Sequence, residues 1–194
     1  MSRVGWIVLG TILIVVAAFA STVSLGGGGS PRQRISQLVS APSRADTGAP
    51  LRVPVAGVAR SQLTDSWGDA RSGGRGHHGT DIMAPGGSPV IAVAPGMIEK
   101  LFQSRLGGTT LYQRSADRRW SFYYAHLAGY APGIAEGRRV RAGELLGYVG
   151  DTGDAGAGNY HLHFSAARLA PDQHWYQGRD VNVFPLLAGR GAAR

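Results

Sequence analysis

Short apolar runs separated by turn residues dominate the pattern of hydrophobic and polar positions from about residue 52 onward. These runs combine β-branched and aromatic residues with partial alternation, which predicts strands rather than helices. The predicted strands occupy 88–102, where a Pro-Gly pair separates two of them, and 109–115, 120–127, 145–153 and 161–169. The ADRR sequence before Trp120 is typical of a hairpin turn. No segment between 52 and 188 predicts a long helix, so we expect a mainly β domain built on a single antiparallel sheet.

The N-terminal segment has a different pattern, an uncharged apolar run over 4–23 that follows Arg3. Such a run is long enough to cross a bilayer as a helix. Arg3 lies on the side that should stay cytoplasmic, which places the rest of the chain outside. The small residues at 18–20 leave a cleaved signal peptide as the alternative. We therefore predict a signal anchor or signal peptide over 1–25 and an extracytoplasmic location in the cell envelope, with membrane attachment if this helix is uncleaved.

Composition divides the remaining chain into three parts. The GGGGSP sequence at 26–31 begins a flexible linker that we predict over 26–51. The total of 194 residues is enough for one domain of ordinary size, which we place at 52–188. A short tail over 189–194 completes the chain.

The chain carries a formal net charge of +8, mostly from arginine. Such a charge suits an anionic partner, although arginine-rich codon usage in a GC-rich genome explains it equally well. No recognition helix or aromatic-basic stacking motif accompanies the charge, so no nucleic-acid partner is expected. The absence of cysteine excludes disulfides and thiolate metal sites and leaves His, Asp and Glu as possible metal ligands.

Histidines stand in three separated places, within RGHHGTD at 75–81, YAHL at 124–127 and YHLHF at 160–164. Residues two apart on a strand share a face, so His161 and His163 should point the same way while the intervening apolar residues face the core. Asp81 by itself could close a turn. Together with the histidines it gives a thiolate-free set that suits zinc with three protein ligands and an open fourth position. The surplus histidines are then available to transfer protons and stabilise an oxyanion.

In this order, the His-x-x-x-Asp, Tyr-x-His-Leu and His-Leu-His motifs resemble the M23 peptidases, the lysostaphin-type or LytM-like zinc endopeptidases of the bacterial cell wall. The surrounding segments GTDIMAPGGSPVIAVAPGMIEKL, VRAGELLGYVGDTG and VNVFPLL are also similar to that family. The resemblance covers about 54–187 and implies the LytM/lysostaphin-type β fold.

The resemblance also implies roles for individual residues. It implies one zinc ion per domain, held by His77, Asp81 and His163. His126 and His161 would be the catalytic residues, one as general base and one as oxyanion stabiliser, in an assignment that the pattern leaves open. The implied activity is hydrolysis of peptide bonds in the stems or cross-links of peptidoglycan. The alternative is a non-catalytic wall-binding or regulatory module of the same fold.

Three further residues lie near these motifs. Arg75 could bind a substrate carboxylate or could simply be solvated. Tyr124 lies two residues before His126 and would share its face as a substrate-binding residue, or it is structural. His78 is expected to face outward on the turn or groove rather than to bind the metal.

Overall fold

The structure is a computed structural model that describes residues 50–190, which belong to one compact unit, Leu38–Arg194. A 310 turn lies at each of Arg60–Gln62 and Ser72–Gly74, and one short helix, α1, spans Phe184–Ala188. The strands are β1 (Thr80–Met83), β2 (Pro89–Ile91), β3 (Gly96–Ser104), β4 (Gly108–Ser115), β5 (Trp120–Tyr130), β6 (Arg139–Val140), β7 (Leu145–Val149), β8 (His161–Arg168) and β9 (Arg179–Val181).

All strand pairs in this part of the chain are antiparallel, and the strands form one sheet. The main order is β1-β8-β5-β4-β3-β6, while β7 pairs with β5 and β2, and β9 pairs with β8. The predicted mainly β, antiparallel fold is therefore confirmed. The central position of β5 and β8 matters most, because these strands carry three of the histidines identified from the sequence.

Strand alternation buries one face of the sheet. Leu162 and Phe164 are fully buried, as expected from their spacing. Phe122 and Leu111 on neighbouring strands join the same core. A close approach between strands requires glycine at position 96, because a Cβ there would lie 2.1 Å from the carbonyl oxygen of Arg114.

The predicted hairpin turn before Trp120 is confirmed between β4 and β5. Arg118 adopts a left-handed backbone conformation with φ of 62°, and its N–H donates to the carbonyl of Ser115 at 2.9 Å. The predicted division of 88–102 into two strands is also confirmed, as β2 ends at Ile91 and β3 begins at Gly96.

Parts of the predicted organisation lie outside the described residues. These are the anchor or signal segment at 1–25, the linker up to residue 49 and the tail at 191–194. Within residues 50–190, no helix has the length and apolar character needed to cross a membrane.

Candidate metal centre

Two neighbouring strands and the segment before them bring the predicted metal ligands together. Asp81 on β1 pairs directly with His163 on β8. His77 precedes β1 and is held by its backbone, since its N–H donates to the carbonyl of Asp69 at 2.9 Å and its carbonyl accepts from Gly68 at 2.8 Å. Gly79 leaves the space that His163 occupies, because a Cβ at residue 79 would lie 2.6 Å from its Cε1.

One atom from each of these three side chains forms a small triangle. His77 Nε2 lies 2.9 Å from His163 Nδ1. Asp81 Oδ1 lies 3.1 Å from His77 Nε2 and 3.1 Å from His163 Nδ1. Among the residues that the structure describes, His77, Asp81 and His163 are the one group of His, Asp or Glu side chains whose ligand atoms lie close enough together to hold a metal ion.

The hydrogen bond on the far side of His77 decides which nitrogen faces the triangle. His77 Nδ1 lies 2.6 Å from the carbonyl oxygen of Ser66, which can only accept, so Nδ1 carries the proton and Nε2 presents a lone pair. A backbone carbonyl in this position is the usual partner of a metal-binding histidine. Burial lowers the pKa of His77, which favours the neutral form that a metal requires.

The donor set fits a zinc ion. A single proton on His163 Nδ1 would bridge at most two of the three atoms, whereas one cation would satisfy all of them. Tetrahedral zinc with bonds of about 2.0–2.1 Å separates its ligand atoms by about 3.3 Å. The distances of 2.9 to 3.1 Å are close to that value. Two imidazoles and one carboxylate also match the ligand types of catalytic zinc sites.

Asp81 has partners on both sides of its carboxylate. Arg71 Nη2 donates to Oδ2, the oxygen that does not belong to the triangle. The Asp81 N–H donates to Ser66 Oγ at 3.1 Å, which fixes the backbone of this residue. Burial would raise the pKa of Asp81, but hydrogen bonds from His163 and Arg71 outweigh it and hold the pKa well below its usual range. The carboxylate is therefore charged throughout the physiological pH range.

His126 and His161 lie beside the triangle with their rings 4.8 Å apart between centroids. His126 Nδ1 lies 2.7 Å from the carbonyl of Thr152, and His161 Nδ1 lies 2.8 Å from the carbonyl of Asn159. Each Nδ1 must therefore donate, which leaves each Nε2 as a basic atom. His161 Nε2 is 4.0 Å from Asp81 Oδ1, so it reaches the edge of the triangle without belonging to it.

Burial lowers the pKa of His126, and the carbonyl of Thr152 offsets only part of this effect. The neighbouring imidazoles of His161 and His163 lower it further. His126 is consequently neutral at physiological pH and able to accept a proton.

A bulge in β5 turns His126 toward the site. Leu111 pairs with Tyr124 and Thr109 pairs with Leu127, so β5 has one more residue than β4 across this interval. His126 takes a left-handed conformation with φ of 60° at the bulge. The interruption resets the alternation, and Tyr124 and Leu127 both lie in the core.

The candidate substrate-binding role of Tyr124 is therefore wrong. Its side chain is fully buried, and its hydroxyl donates to Gln113 Oε1 at 2.7 Å while accepting from the Val93 N–H at 3.1 Å. Simple period-two alternation places Tyr124 and His126 on one face, and the bulge separates them. The alternative structural role is the one that the structure shows.

An open groove of about 820 Å³ contains the triangle and both additional histidines. Arg75 lines this groove and lies 3.7 Å from Asp154 between charged atoms. His78 lines it too, with 59% of its side chain exposed, and stands outside the metal-ligand triangle. His78 Nδ1 is 2.8 Å from Asp180 Oδ2, and its ring stacks on Trp67.

Sequence reasoning missed several residues that line the groove, and two of them contact the predicted metal ligands. Arg71 lies ten positions before the carboxylate that it contacts, outside any motif, and no spacing signal marks it. Tyr123 lines the groove and packs its ring edge against His163 at 5.9 Å between centroids. Period-two counting from His126 assigns Tyr123 to the other face of the sheet, because the two residues are three positions apart. The bulge between them makes this count wrong.

Comparisons with known proteins agree with this arrangement. The sequence profile of peptidase family M23 matches residues 75–182. The L-Ala–D-Glu endopeptidase of Bacillus subtilis is 40% identical over 106 residues, which cover 51% of this chain and 32% of that protein. A peptidoglycan DD-endopeptidase of Vibrio cholerae is 31% identical over 90 residues, which cover 46% of this chain and 20% of that protein. The chain thus matches a third or less of the length of these relatives.

Among solved structures, the catalytic domain of lysostaphin from Staphylococcus simulans aligns with a TM-score of 0.54 and 26% identity. The alignment covers 64% of this chain and 90% of the lysostaphin domain. The antiparallel sheet described above is therefore a lysostaphin-like fold.

Proposed function

The chain belongs to peptidase family M23, and we propose that it is a zinc-dependent endopeptidase that hydrolyses peptide bonds in bacterial peptidoglycan. The observation that carries this proposal is the convergence of two imidazole nitrogens and one carboxylate oxygen within 3.1 Å of one another. Relatives named as L-Ala–D-Glu endopeptidase and peptidoglycan DD-endopeptidase support the substrate class. Their names refer to different bonds, so the stems and the cross-links of the wall are both candidate targets.

Each site residue has a distinct task in this proposal. His77, Asp81 and His163 would hold the metal, and Arg71 would fix the carboxylate. When bound, zinc would polarise the scissile carbonyl and lower the pKa of a water molecule. The open groove leaves room for an extended peptide beside these residues.

Proton transfer falls to His126 and His161. Their backbone hydrogen bonds leave both Nε2 atoms free to take a proton from the attacking water. Once protonated, such an Nε2–H can donate to the developing oxyanion or return the proton to the leaving amine. A pair of imidazoles 4.8 Å apart can divide these two tasks between them.

We place the domain at 52–188 on the outer side of the cytoplasmic membrane. The support is the apolar run at 4–23 with Arg3 before it, together with the extracytoplasmic position of the wall polymer. The segment 1–25 would serve as an anchor if it is uncleaved, with 26–51 as the tether. Detection of the intact chain in the membrane fraction would support anchoring, and recovery of a shortened soluble chain would contradict it.

The activity is tested with the full chain and purified peptidoglycan, using mass spectrometry to identify the released muropeptides and the bond cleaved. Chelation and the substitution His163→Ala are each expected to abolish release. The matched control is His174→Ala, which removes an exposed histidine away from the groove. Full activity of His163→Ala would refute the site assignment. A chain that lacks stoichiometric zinc and releases nothing would instead favour the non-catalytic wall-binding module.

A further inference from the structure

A second, smaller pocket of about 200 Å³ lies beside the metal groove, and Tyr123 lines both. Four of its nine lining residues are aromatic, and their rings contact one another in sequence. Centroids lie 4.5 Å apart for Tyr112 and Tyr123, 4.3 Å for Tyr112 and Trp175, and 5.1 Å for Trp175 and Tyr176. We call this the aromatic pocket, and its main lining residues are Tyr112, Ser121, Tyr123, Trp175, Tyr176 and Asp180.

The segment that supplies Trp175 and Tyr176 is tied to the sheet. Arg114 Nη2 donates to the carbonyl of Gln173 at 2.8 Å. The Ala170 N–H donates back to Gln173 Oε1 at 2.7 Å. Tyr176 nevertheless has 64% of its surface exposed, so its ring is available to a ligand.

The aromatic pocket has a carboxylate in its wall, in a chain that carries a net charge of +8. Asp180 is the one charged side chain among the described residues that line it. Arg114 faces the same side of β4 as Tyr112, but it is buried and bound by both oxygens of Glu99, at 2.6 and 2.8 Å. Burial raises the pKa of Tyr112 to about 12, and the Asp180 carboxylate acts in the same direction.

Ser121 provides an independent sign of a ligand. The residue is 3% exposed, lines the aromatic pocket, and its Oγ has no hydrogen-bond partner among the described residues. Burying an unpaired hydroxyl costs about 1–3 kcal/mol, so native proteins rarely leave one unsatisfied. A ligand with N–H donors would satisfy it.

We propose that the aromatic pocket binds the primary ammonium group of a diamino-acid side chain in a peptide. Ring faces attract a cation, a carboxylate pairs with it, and a hydroxyl oxygen accepts one of its three N–H donors. A volume of about 200 Å³ suits such a head group and its methylene stem rather than a whole peptide. An anionic ligand would be repelled by Asp180.

The position of the aromatic pocket connects it to peptide cleavage, and this part of the inference rests on the proposed function. Tyr123 forms a wall shared with the metal groove, and its ring contacts His163. His78, which lines the metal groove, bonds to Asp180 of the aromatic pocket. A peptide lying in the groove can therefore place a diamino-acid side chain in the aromatic pocket close to the scissile bond.

Binding is tested with the full chain and two small single-residue probes that are not wall peptides. Ligand-observed NMR compares Nα-acetyl-L-lysine N-methylamide with its Nε-acetylated form, which keeps the stem and removes the charge. The charged probe is expected to bind about tenfold more tightly, because both the cation–aromatic attraction and the ion pair are lost on acetylation.

The substitution Asp180→Asn should remove most of this preference while preserving side-chain shape. Its matched control, Asp172→Asn, removes an exposed carboxylate from the same segment but outside the aromatic pocket and should retain the preference. Ser121→Ala should weaken binding about threefold without lowering the melting temperature, since it removes an unsatisfied group.

Equal binding of both probes, or equal effects of the two Asp substitutions, would overturn the proposal. Tighter binding of a neutral chitobiose probe, lost in Tyr176→Ala but kept in Asp180→Asn, would make the aromatic pocket a sugar site instead. Because the probes report binding without hydrolysis, ammonium binding by a chain that cleaves no wall peptide would refute the proposed function and leave this inference standing.

Discussion

The adjacent histidines of RGHHGTD should differ sharply in zinc binding. His77 directs Nε2 into the ligand triangle and is 3% exposed. His78 points along the groove to Asp180 and has 59% of its side chain exposed. Replacing each with alanine removes the same side chain from consecutive positions, so each variant controls for the other.

The size of the difference follows from the number of ligands. The binding free energy of zinc held by four protein ligands is about 10–16 kcal/mol, which is about 2.5–4 kcal/mol for each ligand. Loss of His77 should therefore weaken zinc affinity about 100- to 1,000-fold. The exposed contact between His78 and Asp180 is worth at most about 1 kcal/mol and touches no ligand atom, so His78→Ala should change the affinity by less than about fivefold.

Competition with a chromophoric zinc chelator measures both affinities on the full chain without reference to activity. Circular dichroism of the metal-free variants would show that each remains folded. Comparable losses of affinity in the two variants would mean that the register of the metal motif has been misread. A larger loss in His78→Ala would refute the ligand assignment outright.

Three further substitutions probe the supports of the site. Tyr124→Phe leaves a buried backbone N–H and a glutamine oxygen without a partner, so the free energy of unfolding should fall by about 2 kcal/mol. Calorimetry should show a melting temperature lower by roughly 4–8 °C, with the zinc affinity of the folded protein unchanged. An unchanged melting temperature would contradict the structural role. Gly79→Ala would place a methyl group against the His163 ring and should weaken zinc binding at least tenfold by chelator competition, whereas Gly129→Ala, where a Cβ meets nothing within 4 Å, should not. Arg71→Ala releases one oxygen of the Asp81 carboxylate and should weaken zinc binding about 10- to 100-fold, and Arg71→Lys should have an intermediate effect. A wild-type zinc affinity in the alanine variant would show that this ion pair does not orient the carboxylate.

Period-two alternation allowed much of the fold to be predicted. Strand β8 alternates without interruption from Leu162 to Ala166, so its buried face could be predicted from residue type alone. The shared face of His161 and His163 depends on the same rule. The rule also predicts that Leu162, which lies between these histidines, faces the core, and Leu162 is fully buried.

Alternation failed where the backbone departs from it. The extra residue in β5 places His126 opposite to the face that counting from Tyr124 predicts. A left-handed conformation at a histidine carries no obvious residue signal, in contrast to one at glycine. The contact from Arg71 to Asp81 and the approach of Trp175 to Tyr112 depend on how irregular segments fold back on the sheet, which local propensity does not determine.

Backbone carbonyls explain why the motif residues need their particular surroundings. The sequence motif supplies the imidazoles, but Ser66, Thr152 and Asn159 supply the carbonyl oxygens that fix the proton of His77, His126 and His161 on Nδ1. A carbonyl is present at every residue, so these partners leave no trace in residue type. The turns that carry these carbonyls must therefore keep their backbone geometry for the three histidines to present Nε2 to the groove. It follows that the five motif residues alone do not form the site, which also needs the segments around 66, 152 and 159 in place.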